Sequence, residues 1–282
     1  MTPCRPNSLV DDMISASHRP FRLRILRSGS SGNAILIDAV DTRLVVDVGL
    51  PAEAVVRELV SVPIALEDIS AILLTHEHDD HARGAATLAR LAHAPVLANE
   101  GTIAAAGGLL AGAQIERFVT GRPFVVGSLT VEAFLLPHDA AEPVGFVISR
   151  DDVRVMIATD LGQATDDLVE RARSADVVIL EANYDLRLLS VSPYPWFLKN
   201  RILSPTGHLS NDAAAQTVVA AASDRPQTAF LVHLSDINNL TPLARDTVQW
   251  ALDREGITQV NVEAIRPNGT SRTWESFAGV PP

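Results

Sequence analysis

Short apolar runs recur along this chain, and several of them end on a histidine or an aspartate. The run at 72–75 leads to His76, and the run at 230–232 leads to His233. Runs of four to eight β-forming residues between turn signals predict buried strands. Loops at strand ends are free to carry function, so these polar side chains would form one site if the strands lie side by side. The strand-end residues of this kind are Asp47, His76, His138, Asp160 and His233.

The order of strand and helix patterns predicts the fold class. Strands mix with helices throughout, which indicates an α/β fold of two sheets covered by helices rather than a helical bundle. The first three strands are separated by tight turns, so we expect them to pair antiparallel. The predicted strands are 22–26, 34–38, 43–47, 69–74, 95–98, 129–136, 144–148, 154–158, 177–180, 229–232 and 260–264; the predicted helices are 51–60, 84–93, 166–173, 211–222 and 242–254.

The amino-acid composition excludes several classes of protein. Hydrophobic residues make up 47% of 282 positions, which excludes disorder for most of the chain. The formal net charge of -11 argues against non-specific coating of nucleic acid, but metal ions can still neutralise phosphate inside a pocket. A lone cysteine, Cys4, fits a reducing cytosol, and residues 1–20 lack the apolar core of a signal peptide. We therefore expect a flexible leader at 1–20, one domain at 21–282, a cytoplasmic location and no membrane contact.

The segment 76–81, His-Glu-His-Asp-Asp-His, carries the strongest chemical signal. Imidazole and carboxylate ligands suit Zn, Mn or Fe. In a tight loop, residues two apart can face one ion while Asp80 and His81 turn to a second. Two ions together can hold a bridging hydroxide and clamp the attacking and leaving oxygens. The alternative, a solvated polar loop, does not explain three histidines and two aspartates in six positions.

The segment from Thr75 to His81, together with the order of the strand-end residues, resembles the signature of the metallo-β-lactamase superfamily. The resemblance runs from Phe21 to about Arg266 and implies a four-layer αββα sandwich of two mixed sheets. It also implies the ligands of two divalent cations: His76, His78 and His138 for one, Asp80, His81 and His233 for the other, with Asp160 as a bridge and Asp47 orienting the cluster from beneath.

Three further segments lie at 28–33 (Ser-Gly-Ser-Ser-Gly-Asn), 194–211 (Tyr-Pro-Trp to Gly-His-Leu-Ser-Asn) and 233–239 (His-Leu-Ser to Asn-Asn). Together they resemble the YycJ/WalJ-type branch of the superfamily, bacterial DNA exonucleases described as working from 5′ to 3′. The resemblance implies nucleic acid as the substrate, with DNA favoured over RNA. The oligomeric state is left open.

Glu181 and His208 form a candidate proton-donating pair. Glu181 ends the apolar run 177–180, where a carboxylate can orient and charge an imidazole so that it acts as a general acid. The layout is similar to that of the related tRNA 3′-processing endonucleases. Alternatively, Glu181 is a structural acid and His208 only precedes a helix.

Candidate substrate contacts rest on weaker patterns. Lys199 and Arg201 could contact phosphate or simply lie on a solvated helix face. Backbone N–H groups of the loop 28–33 could cradle phosphate, although a plain turn between strands is favoured. Ser210 could bind a terminal phosphate or cap the next helix. Trp196 could stack a base, but we expect it to pack in the core. The candidate contacts are Ser30, Asn33, Lys199, Arg201, Ser210 and Asn211.

Three functions are compatible with these patterns. The first is a DNA exonuclease in which a metal-bridged hydroxide attacks phosphorus and His208, supported by Glu181, protonates the leaving oxygen. The second is a small-molecule hydrolase of the same fold that acts on a cyclic phosphodiester, lactone or thioester. The acidic net charge favours this second function, whereas the Glu–His pair favours the first. The third, a metal-binding protein without activity, fits poorly with a complete ligand set.

Overall fold

The computed structural model describes residues 21–39, 41–60, 62 and 64–276, so the predicted leader at 1–20 lies outside the described residues. Their strands are β1 (Phe21–Arg27), β2 (Ala34–Ala39), β3 (Thr42–Val46), β4 (Ala71–Leu73), β5 (Val96–Ala98), β6 (Ile115–Arg117), β7 (Phe124–Val126), β8 (Leu129–Leu135), β9 (Val144–Arg150), β10 (Val153–Ala158), β11 (Val177–Glu181), β12 (Gln227–Val232), β13 (Val260–Ala264) and β14 (Trp274–Ser276). Their α-helices are α1 (Ala52–Leu59), α2 (Asp79–Ala82), α3 (Ala85–Ala92), α4 (Glu100–Ala106), α5 (Asp166–Arg173), α6 (Leu186–Val191), α7 (Trp196–Ile202), α8 (Asn211–Ala221) and α9 (Thr241–Arg254), with 3₁₀ turns at Leu66–Asp68 and Gly107–Leu110.

Each of the two sheets joins an antiparallel part to a parallel part. The first sheet has the order β14-β1-β2-β3-β4-β5-β6, and the second has the order β13-β12-β11-β10-β9-β8-β7. The hairpins β1–β2–β3 are antiparallel as predicted, whereas β3 to β6 run parallel. In the second sheet β7 to β10 alternate in direction and β10 to β13 run parallel. Because parallel neighbours end at one edge, the predicted strand ends come together there.

The two sheets face each other across the main core, and helices cover their outer faces. In β3, Val46 packs into the core between the sheets, while Val45 packs under α1 and α3. In β10, Ile157 points between the sheets and Met156 packs under α5 and α8. Strands buried on both faces read as continuous apolar runs, which is why the sequence signalled them well. The four-layer αββα sandwich is confirmed.

The predicted elements agree with the structure to within a few residues at each end. Pro51 is the residue before α1 rather than part of its first turn. The short strands β6, β7 and β14 and the helices α2, α4, α6 and α7 were not predicted, because three to seven residues carry too little periodicity. Among the described residues, no helix is both long and apolar enough to cross a bilayer.

Candidate active site

Loops from both sheets meet in a pocket of about 320 Å³ at the carboxyl edge of the parallel strands. The first sheet supplies the loop after β4, and the second supplies the loops after β8, β10 and β12. The pocket is lined by Ser30, His78, Asp79, Asp80, Arg83, His138, Asp160, Arg201, His208 and His233. Side chains up to about 200 positions apart in the chain therefore share one site, and most of them are imidazoles or carboxylates.

His76, His78 and His138 point their ring nitrogens at one another. His78 Nδ1 lies 3.0 Å from His76 Nε2 and 3.3 Å from His138 Nε2. A tetrahedral cation with metal–nitrogen bonds of about 2.0–2.1 Å would place neighbouring ligand atoms about 3.4 Å apart. Burial lowers the pKa of His76 well below its usual range, and this keeps its lone pair free. The three nitrogens thus fit a single cation.

Asp80, His81 and His233 form the second group of donor atoms within 4.8 Å of one another. Asp160 lies between the groups, with Oδ2 2.9 Å from His81 Nε2 and Oδ1 3.8 Å from His138 Nε2. Asp160 Oδ2 and His233 Nε2 are buried and have no partner in hydrogen-bond geometry, because the short contact of Oδ2 with His81 Nε2 is poorly aligned. Such an unsatisfied polar atom costs roughly 1–3 kcal/mol. Because a second cation would give both atoms a partner, the residues fit a two-metal centre.

Negative charge dominates this second half of the site. Burial alone would lower the pKa of His81 and of His233, but nearby carboxylates, Asp160 foremost, raise both well above the usual value. The same imidazoles hold the pKa of Asp160 well below its usual range despite its burial. The carboxylates of the pocket therefore require positive charge close by. Divalent cations would supply it in place of protons on the histidines.

Asp47 lies beneath the histidine-rich loop, where the sequence placed it. Its carboxylate accepts hydrogen bonds from Thr75 N at 2.9 Å and Thr75 Oγ1 at 2.8 Å, and contacts His81 Nδ1 at 2.7 Å. With Nδ1 engaged, His81 turns Nε2 toward the other donors. His138 is held in the same way, because its Nδ1 lies 3.0 Å from the Gly207 carbonyl oxygen. Partners of this kind set ring orientation and tautomer in metal sites.

Backbone contacts brace the loop from behind, and sequence patterns did not reveal them. Asn33 N donates to Asp80 O at 2.9 Å, and Val48 N donates to His81 O at 2.7 Å. Gly49 packs so closely that a Cβ atom there would lie 1.6 Å from Asp80 O. The Asn33 side chain is buried and bonds Gly29 and His81. The prediction that Asn33 contacts substrate is therefore wrong: its amide holds the loop.

Glu181 and His208 are in contact at the pocket wall. His208 Nδ1 lies 2.7 Å from Glu181 Oε1, and the same oxygen lies 2.8 Å from His233 Nδ1. The other oxygen accepts from the backbone N–H groups of Leu161 at 3.0 Å and Leu209 at 3.1 Å. Four hydrogen-bond donors contact this fully buried carboxylate. Glu181 therefore orients two imidazoles: His233, which belongs to the second group of candidate metal ligands, and His208 at the pocket wall.

Two predicted substrate contacts, Ser30 and Arg201, line the pocket. Arg201 is held by Asp139, with Nε 2.6 Å from Oδ2 and an Nη 3.2 Å from Oδ1. The Asp139 hydrogen bond raises the pKa of Arg201, which stays charged. The guanidinium thus brings a fixed positive charge to the pocket wall.

Three other predicted contacts have different partners. Lys199 donates to the carbonyl of Ser190 at 2.8 Å and is not among the pocket-lining residues. Ser210 caps α8, accepting from the backbone of Ala213 at 3.1 Å. Asn211 is buried and bonds the side chain of Asn239 at 3.0 Å. A substrate contact by Asn211 is therefore excluded by burial, and Ser210 follows the alternative of a helix cap.

Trp196 does not pack in the core, so that prediction is wrong. Its side chain and that of Phe197 are 74% and 75% exposed. The helix α7 buries only the narrow face that carries Leu198 and Ile202. Because Trp196 lies on the opposite side of a seven-residue helix, it faces outward.

Comparisons with known proteins agree with this geometry. Residues 33–234 match the family described as beta-lactamase superfamily domain. The chain is 34% identical to exodeoxyribonuclease YycJ of Bacillus anthracis, over 82% of this chain and 89% of the relative. It is 36% identical to exodeoxyribonuclease WalJ of Streptococcus pneumoniae serotype 2, over 81% and 87%.

The fold matches solved structures as well. The metallo-beta-lactamase fold protein YhfI from Bacillus subtilis aligns with a TM-score of 0.70 at 18% identity, covering 91% of this chain and 99% of that one. At this identity the match speaks for the fold alone. Taken with the family match and the two relatives, it leads to one assignment: the chain belongs to the metallo-β-lactamase-fold hydrolases of the beta-lactamase superfamily, in the family of the YycJ and WalJ exodeoxyribonucleases.

Proposed function

We propose that this chain is a two-metal phosphodiester hydrolase that degrades DNA from an end, with the 5′ to 3′ polarity that the family resemblance implies. The observation that carries the proposal is the contact of His208 with buried Glu181 beside two complete groups of metal donors. The exodeoxyribonuclease names of the relatives support DNA as the substrate. A cytoplasmic site of action fits both the DNA substrate and the lone cysteine.

The donor set suits two divalent cations, Zn or Mn, with Fe as a further option. Such cations supply an activated water and neutralise charge on the phosphate. The residues that would hold them are His76, His78 and His138 for the first, Asp80, His81 and His233 for the second, and Asp160 between the two.

His208 is suited to hold and deliver a proton. Its Nδ1 faces Glu181, so Nε2 is the nitrogen left for the leaving oxygen. Burial lowers the pKa of His208, but the Glu181 charge and hydrogen bond outweigh burial and raise it. Proton transfer by a positioned side chain contributes roughly 10²–10⁴ in rate. Arg201 would hold a phosphate oxygen, and its fork to Asp139 fixes its direction.

The proton donor also separates this function from thioester hydrolysis, one form of the small-molecule alternative. A departing alkoxide of a DNA strand needs a proton, whereas the thiolate that leaves a thioester does not. The pocket volume of about 320 Å³ is near the lower end of ligand sites, roughly 300–1,000 Å³. A polymer would therefore place one diester in the pocket and run across the surface outside it.

Digestion of end-labelled single- and double-stranded DNA and RNA with Mn, Zn or Mg tests the proposal. We expect wild-type protein to shorten DNA from the 5′ end, and Asp80→Ala to abolish cleavage. Wild-type-like cleavage by Asp80→Ala would contradict the metal assignment. Hydrolysis of a lactone with no action on any nucleic acid would favour the small-molecule function instead.

A further inference from the structure

Two aromatic rings project from α7 into solvent. Trp196 and Phe197 are adjacent and about three-quarters exposed, while Leu198 and Ile202 anchor the helix to a small core with Tyr184 and Leu189. Large exposed rings that do not contribute to a core are unusual in a monomeric protein and mark interaction sites when they cluster. The metal site and its proton donor make no use of them.

The ring pair lies one helical turn from a residue of the active-site pocket. Arg201 lines the pocket and lies four residues after Phe197, hence one turn along the same helix face. Side chains at this spacing are neighbours, with Cβ atoms roughly 5–6 Å apart. A chain that leaves the pocket past Arg201 would meet Phe197 first and Trp196 next.

Positive side chains on this helix favour an anionic occupant, although Asp139 offsets part of the charge of Arg201. α7 carries Lys199 and Arg201 and no acidic residue, although the whole chain has a net charge of -11. Lys199 is the single lysine of the sequence. Aromatic rings interleaved with cations are the surface that single-stranded nucleic acid needs, because bases stack on the rings while phosphates meet the cations.

We propose that Trp196 and Phe197 stack successive bases of a single-stranded segment that extends from the scissile phosphate over α7. This inference rests on the proposed nuclease function and adds to it how the strand is held outside the pocket. Stacking tolerates any base sequence, since every base has an aromatic face. The surface would thus hold the strand without sequence preference, as an exonuclease requires.

Binding of a labelled single-stranded oligonucleotide, made hydrolysis-resistant with phosphorothioate linkages, tests the inference. A second oligonucleotide of equal length with abasic sites keeps the phosphates but removes the stacking partners. The variants are Trp196→Ala, Phe197→Ala and the conservative Trp196→Phe. Trp250→Ala is the control, because Trp250 is likewise exposed (61%) but lies on another helix, α9, where its ring contacts Arg254. Affinity is measured by fluorescence anisotropy on metal-loaded protein.

Each alanine variant should weaken binding of the base-containing strand about 5- to 150-fold, the range that one stacked base contributes. Binding of the abasic strand should not change, Trp196→Phe should recover most of the affinity, and the control should match wild type. Equal losses on both strands would overturn base stacking. So would unchanged affinity in the alanine variants of an enzyme that does cleave DNA.

Two further outcomes distinguish failure of the base-stacking inference from failure of the proposed nuclease function. Wild-type protein that neither binds nor cleaves nucleic acid overturns the proposed function, and the stacking surface with it. Sedimentation of the Trp196→Ala and Phe197→Ala double variant addresses a second copy of this chain as occupant. Loss of self-association with unchanged affinity for DNA would assign the rings to a protein interface and refute stacking.

Discussion

Replacing His208 with alanine should slow cleavage of DNA far more than cleavage of an activated diester. The ring lies 2.7 Å from Glu181 and is 20% exposed at the pocket wall. If it delivers the proton to the leaving alkoxide, its loss costs roughly 10²–10⁴ in rate, or about 3–5.5 kcal/mol in the barrier. With bis(p-nitrophenyl) phosphate the leaving phenolate needs no proton, so the loss should stay within about tenfold.

The variant should fold and keep its metal. Three of the four donors to Glu181, namely Leu161 N, Leu209 N and His233 Nδ1, remain, so we expect destabilisation of about 1–3 kcal/mol. Single-turnover rates on both substrates, with metal content measured beside them, decide the matter. His93→Asn is the matched control, since His93 is an exposed histidine with a left-handed backbone that asparagine accepts. Equal slowing on both substrates, or loss of metal, would refute the role of proton donor.

Three other perturbations test how the site is held. Gly49→Ala should displace the histidine-rich loop, because the new Cβ would meet Asp80 O at 1.6 Å; metal content and melting temperature should both fall. Asp47→Asn removes the charge that orients His81 and should weaken metal binding by roughly 10–100-fold in a competition titration. Chelation should lower the melting temperature, and re-added Zn or Mn should restore it, because ligands that bind only the folded state stabilise it. An unchanged melting temperature on chelation would contradict the two-metal centre.

Most donor positions could be predicted because they follow strands buried on both faces; His138 follows β8, which is partly exposed on one face. In a strand buried on both faces the core excludes polar side chains until the strand ends, so Asp160 after β10 stands out against its apolar run. The topology then brings those ends to one edge of the sheets. The same apolar runs therefore predicted both the strands of the fold and the positions of the site residues at the strand ends.

What braces the loop could not be predicted in this way. The contact of Gly49 with Asp80 joins positions far apart in sequence, and neither residue shows it locally. The outward direction of Trp196 depends on which face of α7 its neighbours bury, and seven residues are too few to show a stripe. Burial and long-range hydrogen bonds, rather than residue type, decided against Asn33 and Asn211 as substrate contacts.

The candidate metal ligands lie on loops of both sheets, and the distance between the sheets is set by the side chains packed between them. Phe146, which meets the ring of Phe118 edge-on at 5.8 Å, is part of that filling. Shrinking it would let the layers drift by fractions of an ångström while helices and strands stay formed. A metal site tolerates only small changes in the positions of its ligands. A smaller residue at position 146 should therefore weaken metal binding before it unfolds the protein, so that metal content reports how closely the two sheets pack.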